Sequence, residues 1–289
     1  MNVPLVAIVG ETASGKSALA MALAERLDGE IVCADSRTVY KAMDIGTAKP
    51  TAGERARVPH YCLDLVTPEQ SFSAADFKRH AGAAVEDISR RGKLPIVVGG
   101  TGLYVDALLY DFQFRQPARP EERQRLQGMS VEELQAEIVR KGIALPKNSR
   151  NPRHLTRAIE TDGQVASRGE LTPGTVIIGV DADRAELNQR ITGRMEAMIG
   201  QGLEMEVREL QHTYGWDAPG MGSIGYREWQ DYFLGTSQLA EVTRSIAKNT
   251  RNLAKRQRTW FKRNNSVHWI SNSSKIETIV DLVTTKSNK

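Results

Sequence analysis

Residues 10–17 read Gly10-Glu11-Thr12-Ala13-Ser14-Gly15-Lys16-Ser17, which satisfies G-x-x-x-x-G-K-[ST] between an apolar run and a helical one. That spacing does phosphate chemistry. The glycines let backbone N–H groups turn inward onto phosphate oxygens, and the following helix adds the positive end of its dipole. Lys16 supplies a full charge, and Ser17 a hydroxyl able to ligate magnesium. Glu11 is out of character, because it adds negative charge where anions bind; its side chain is expected to point outward.

The loop does not say which phosphate compound binds. NTPases usually follow a later apolar strand with a carboxylate that positions magnesium and water, but here Leu94–Val98 runs into Gly99-Gly100-Thr101-Gly102. The strand-end carboxylate near the site is Asp35, after Ile31-Val32-Cys33-Ala34. It reads as a general base or hydrogen-bond acceptor for an incoming nucleophile, or as a loop carboxylate that caps a turn or holds magnesium-bound water. Thr101 reads as a site residue, as a helix N-cap, or as both.

A third feature is electrostatic. From Arg244 to Arg263 there are eight Lys or Arg and no Asp or Glu, within a chain of net charge +4, so the remainder is net negative. On a helix, Arg244, Lys248, Arg251, Lys255, Arg258 and Lys262 fall within about 40° of one line, with Val242, Ile246, Leu253 and Trp260 opposite. A cationic stripe without interleaved carboxylates suits a phosphate backbone. It equally suits a solvated face, or one bridged to acids elsewhere in the fold.

These groups need elements to position them. VPLVAIV, IVCAD, LPIVVGG and TVIIGVDAD read as strands. ALAMALAERL, the stretch after Ser73 and TGLYVDALLYDF read as helices between them. The alternation predicts a parallel α/β sheet of P-loop NTPase type flanked by helices. Its carboxyl edge should bring the P-loop, Asp35-Ser36 and Gly100-Thr101-Gly102 to one cleft. Residues 113–174 show no convincing strand and read as an all-helical insert, with one helix starting at Asn151-Pro152. The catalytic core is then 1–112 with 175–289. Only the tail beyond about Ser271 looks loose.

Hydrophobic residues at 40% and charged residues at 26% of 289 support a sizeable core and argue against global disorder. Cys33 and Cys62 have no Cys-x-x-Cys spacing and read as buried thiols of a reducing compartment. MNVPLVAIVG lacks a cationic n-region and leads straight into the P-loop, so it is read as neither signal nor transit peptide. With no apolar stretch of membrane-spanning length, a cytoplasmic monomer that does not engage membranes is expected.

GETASGKS, ADSRTVYKAMDIGTAKP, VPHYCLDLVTPEQSFSAADF, LPIVVGGTGLY, NPRHLTRAIE, GSIGYREW and TRNLAKRQRTWFKR occur in this order. The order, from about Val6 to Arg263, resembles that of bacterial tRNA dimethylallyltransferases. DIGTAKP together with AKRQ-x-TW is more specific than the P-loop. The resemblance implies that dimethylallyl diphosphate, not ATP, occupies residues 10–17 with magnesium on Ser17. The acceptor it implies is N6 of the adenine 3′ of the anticodon in the tRNA stem-loop. Asp35 is similar to the family's base, Thr101 to a position touching the adenosine, and Lys16 and Arg194 to groups supporting the diphosphate.

Ser36, Arg37 and Thr38 would lie beside the substrate nucleotide. Arg123, then Arg153, His154, Leu155, Thr156 and Arg157, and Gly222, Ser223, Ile224, Gly225, Tyr226 and Arg227 resemble tRNA contacts. Arg251 and Lys255 of the basic helix join them. The sequence departs from the family at Glu11 (usually proline), Thr38 (commonly glutamine) and Gly222-Ser223 (frequently Gln-Ala), none of which removes a charged catalytic group. Against this reading stand a P-loop small-molecule kinase, a prenyltransferase of free adenine nucleotides, and a non-catalytic RNA-binding protein. The basic helix and the missing NTPase carboxylate weigh against the first, the insert against the second, and intact Lys16 and Asp35 against the third.

Overall fold

The computed structural model describes residues 4–114, 120–164, 167–271, 274 and 276–287. Six strands form one parallel sheet: β1 Leu5–Gly10, β2 Gly29–Cys33, β3 His60–Tyr61, β4 Leu94–Gly99, β5 Thr175–Asp181 and β6 Val267–Ser271. Their order is β3-β2-β4-β1-β5-β6. The central strands are β-branched runs buried along their length, as expected of a parallel sheet covered on both faces. From β1 the chain crosses to β2 on one side, and from β4 it returns to β5 on the other. Chain departure in opposite directions opens a crevice at the carboxyl ends of β1 and β4, where ligands bind in such sheets.

The helices, in order, are α1 Lys16–Arg26, α2 Ala52–Arg57, α3 Ala74–Arg90, α4 Gly102–Leu109, α5 Pro120–Gln127, α6 Val131–Arg140 and α7 Pro152–Glu160. They continue as α8 Arg184–Gly200, α9 Leu203–Tyr214, α10 Gln230–Phe233, α11 Leu239–Phe261 and α12 Ile276–Ser287. Local chemistry sets several starts. Ser73 and Asp76 form a capping box on α3, and Asn151 caps α7 ahead of Pro152. Asp183 Oδ1 accepts from the N–H groups of Ala185 and Glu186, starting the helix that carries Arg194.

One unit comprises Met1–Leu109 with Leu171–Lys289. Its sheet packs Val6, Ile8, Ile96 and Ile178 against Leu23 of α1 and against Ile279 and Val283 of α12. A second core joins Met195 of α8, Leu203 and Val207 of α9, and Val242 and Ile246 of α11 to Met43 and Trp229. The tail expected to be loose is therefore corrected: α12 docks, because its apolar residues recur at helical spacing and meet the sheet. The other unit, Tyr110–Glu170, contains α5, α6 and α7 around Leu126, Leu134, Ile138, Leu155 and Ile159. Among the described residues no helix is long and apolar enough to cross a membrane.

Candidate active site

β1 ends at Gly10 and α1 begins at Lys16, so the loop between them sits at the carboxyl edge of the sheet. Lys16 Nζ donates to the Glu11 carbonyl at 3.2 Å. Burial pushes the Lys16 ammonium down to about 8; the charge of Asp35 opposes this shift and that of Arg194 adds to it. Burial also pushes the Arg194 guanidinium down, although the residue as a whole keeps contact with solvent. Two partly desolvated cations beside one loop favour a polyanionic ligand. Ser14 Oγ, fully buried in the same loop, has no hydrogen-bond partner among the described residues.

Glu11 corrects the expectation of an outward side chain. It is 7% exposed, with its carboxylate 3.2 Å from Arg258 Nη1 of α11. Burial raises its pKa and the guanidinium offsets part of that rise. The loop turns this side chain beneath α11, where a cation neutralises it.

Asp35 follows the end of β2. Its Oδ1 accepts from Arg37 N–H at 2.8 Å, while Oδ2 has no partner among the described residues. Thr101 Oγ1 accepts from Ser36 N–H at 3.0 Å, and Thr101 N–H donates to the Ala34 carbonyl at 3.2 Å. The loops after β2 and β4 are thereby laced together. Thr101 opens α4 through its carbonyl, which accepts from Tyr104 and Val105 N–H, and uses its hydroxyl between loops.

The segment 44–50 forms a further wall. The Glu206 carboxylate of α9 accepts from Asp44, Ile45 and Gly46 N–H at 3.0, 2.8 and 3.1 Å, and from Tyr226 Oη at 2.7 Å. Gly46 lies so close to the Tyr226 ring that a Cβ there would stand 2.6 Å from it. Buried Lys49 Nζ reaches the Tyr40 carbonyl at 2.7 Å, Asp44 at 2.5 Å and Asp64 at 2.6 Å. Glu206, Lys49 and Gln257 (whose Oε1 accepts Thr12 N–H at 2.8 Å) were not singled out from the residues alone. Lys49 and Gln257 at least lie inside DIGTAKP and AKRQ; nothing local distinguishes Glu206 from the other carboxylates of its helix.

These walls enclose a cavity of about 440 Å³ lined by Thr12, Asp35, Thr101, Arg194, Gly225 and Arg227, among others. A chamber of about 130 Å³ reaches Lys16 and Ser17 and shares Thr12, Asp35, Thr47, Ala48 and Arg194 with it. The phosphate loop and the strand-end carboxylate therefore line one chamber, which adjoins the larger cavity at those shared residues. Ser36, Arg37, Gly222 and Ile224 also line the larger cavity. Thr38 lines the smaller chamber, whereas Ser223 and Tyr226 are buried beside the residues that line the larger cavity. Among the described residues no cluster of His, Cys, Asp or Glu side chains is built to hold a metal. Ser17, whose hydroxyl has no protein partner among them, and Asp35 line the same chamber. Both are oxygen donors suited to a magnesium ion that arrives with a diphosphate.

The cationic stripe on α11 divides. Arg251 and Lys255 are exposed and without ion-pair partners among the described residues, facing a separate groove beside Arg184 and Trp269. Arg258 and Lys262 instead reach Asp181, each at 3.2 Å. Trp260, expected on the packed side, is partly exposed and donates to Asp106 at 3.0 Å, while Ala254, Gln257 and Phe261 complete the buried face. In the smaller unit, Arg153 and His154 are exposed, and Arg123, Arg153 and Thr156 line a cavity of about 400 Å³. Arg123 and Arg157 are paired with Glu160 at 2.9 and 3.3 Å. Leu155 is 0% exposed in that unit's core, which corrects the expectation of an RNA contact through its side chain.

The IPP transferase family model matches residues 38–264. A tRNA dimethylallyltransferase of Roseiflexus sp. (strain RS-1) is 43% identical over 256 residues, covering 83% of each chain. That of Bacillus cytotoxicus is 41% identical over 253 residues, 82% of this chain and 80% of its own. The structure of the tRNA isopentenylpyrophosphate transferase from Bacillus halodurans superposes with a TM-score of 0.78 at 35% identity, covering 99% of this chain and 97% of that one. By family model, sequence and fold together, the chain belongs to the IPP transferase family.

Proposed function

We propose that this protein transfers the dimethylallyl group of dimethylallyl diphosphate to N6 of the adenine immediately 3′ of the anticodon in tRNA, releasing diphosphate. The observation that carries the reading is the chamber lined by both Lys16 and Asp35, which brings a phosphate loop to a carboxylate with a free oxygen. A kinase reading finds no support at the end of β4, which runs into glycine and threonine instead of a magnesium-positioning carboxylate.

Adenine N6 is a poor nucleophile because its lone pair is delocalised into the ring. As N6 bonds to C1 of the allyl group, Asp35 accepts the N6 proton and keeps electron density on nitrogen. The C1–O bond breaks and its electron pair leaves with diphosphate. Lys16, Arg194 and the N–H groups of the phosphate loop stabilise the charge that accumulates there. Magnesium held by Ser17 and the diphosphate would add a further positive charge to the leaving group. N6 is reached only if the base leaves the anticodon stack. Thr101, Arg37 and the 222–227 segment then hold the nucleotide, and Arg251 and Lys255 of α11 with Arg123, Arg153, His154, Thr156 and Arg157 of the smaller unit hold flanking backbone. Buried free thiols at Cys33 and Cys62 suit the reducing cytoplasm where such RNA resides.

The test is incubation of the protein with magnesium, labelled dimethylallyl diphosphate and tRNA from cells lacking the modification, followed by nucleoside analysis. Label in N6-dimethylallyladenosine is the expected result. No transfer to tRNA, with ATP hydrolysed or its phosphate moved to a small molecule, overturns the reading.

A further inference from the structure

The phosphate loop is held by two successive residues of α11, one of them lining the larger cavity, and phosphate chemistry alone explains neither contact. Gln257 is 8% exposed, and its Oε1 accepts Thr12 N–H at 2.8 Å. Its amide lies against Gly100 so closely that any side chain at position 100 would collide with Nε2. The next residue, Arg258, spans the Glu11 carboxylate and Asp181, at 3.2 Å each. Loop N–H groups are what such a loop offers to a phosphate. Whatever takes Thr12 N–H therefore determines which donors are left facing the ligand. A buried carboxylate inside an anion site would repel that ligand unless it were neutralised and turned aside.

We propose that Gln257 and Arg258 are positioning residues for the diphosphate site. Gln257 sets the first half of the loop by occupying Thr12 N–H. Arg258 keeps Glu11 paired beneath α11 and away from the phosphates. The inference rests on the reading of residues 10–17 as a diphosphate site and adds two residues of a distant helix to it.

The experiment measures affinity for inorganic diphosphate with magnesium by calorimetry, and affinity for an anticodon stem-loop RNA. It compares the wild type, Gln257→Met, Arg258→Gln and the double variant Glu11→Gln/Arg258→Gln, with thermal melts for each. Gln257→Met keeps the side-chain volume but loses the acceptor, and should weaken diphosphate binding about tenfold with RNA affinity nearly unchanged. Arg258→Gln should weaken it similarly. The double variant should recover most of that loss, since the unpaired carboxylate is gone; a merely structural bridge from Arg258 to Asp181 would not be restored by changing Glu11. Wild-type affinity in Gln257→Met, or a double variant no better than Arg258→Gln, overturns the proposal. The double variant keeps the test decisive if Gln257→Met fails to fold. A wild type that does not bind diphosphate rejects the phosphate reading itself, an outcome visible before any variant is compared.

Discussion

The phosphate wall and the acceptor wall of the cavity meet at Asp35 but are assembled differently. The first is eight consecutive residues running from the last residue of β1 into α1, with Lys16 and Ser17 on the first helical turn. The second comes from residues 35–38 and 44–50, and from 222–227 about 170 residues further on, with Glu206 joining the last two segments, Lys49 bracing 44–50 against Asp64, and Thr101 bracing Ser36. A local loop carries its ligands in its own backbone. The other wall exists only while polar side chains from other segments hold it. Damage to the first should therefore appear as weakened diphosphate affinity, and damage to the second as impaired chemistry or acceptor binding.

The largest test of that division is Asp35→Ala, where the two walls meet. Turnover should fall about 100-fold or more, with tRNA affinity nearly intact. Equal losses in both would remove Asp35 from the role of base. Lys16→Ala should raise the Michaelis constant for the donor about thirtyfold, the scale of removing one charged hydrogen bond. An unchanged constant would detach Lys16 from the diphosphate.

The same lysine sets a pH signature. Its ammonium is depressed to about 8 in the empty site, and a bound diphosphate favours the charged form. Below that pH the group is already protonated and diphosphate affinity should be flat in this respect. Above it, binding must take up a proton, so affinity should fall about tenfold per pH unit. The break should vanish in Lys16→Ala; a break that persists would belong to another group.

Glu206→Gln sharpens the comparison from the other side. The amide offers one acceptor oxygen where the carboxylate offers two, so some of the N–H groups of Asp44, Ile45 and Gly46 lose their partner. The cost should be about 1–3 kcal/mol of stability in chemical unfolding. A several-fold rise in the tRNA Michaelis constant should accompany it, with diphosphate affinity unchanged. The smallest effect expected is that of Arg251→Ala or Lys255→Ala. Each should weaken RNA binding across tRNAs and make the salt slope shallower by about 1 for every phosphate the side chain neutralises. An unchanged slope would make that part of the stripe a solvated face.

Much of this was legible in the residues. G-x-x-x-x-G-K-[ST] is recognisable from eight consecutive residues, and the Ser73 and Asn151 caps need only the next three residues. The buried strands announced themselves as β-branched runs. Other features carried signals that lead only partway. Ile276, Ile279, Val280 and Val283 have helical spacing, but in a polar tail the pattern does not reveal what they dock against. Leu155 sits among residues resembling RNA contacts, and its helical spacing from Ile159 points inward once α5 and α6 supply a core.

By itself, the sequence determined whatever closes within a turn of helix or a tight loop: the phosphate loop, the helix caps, the strand cores and the charge on α11. Only the tertiary structure decided which charges stay available. Arg258 is 247 residues from Glu11 in the chain and 3.2 Å from it in the fold, whereas Arg251 and Lys255 on the same stripe remain exposed and without ion-pair partners among the described residues. Glu206 likewise finds its N–H groups about 160 residues away. The reason is physical. Backbone geometry is settled by neighbours along the chain, but the state of a charge depends on desolvation and on its partners in space, and neither exists until the elements have packed.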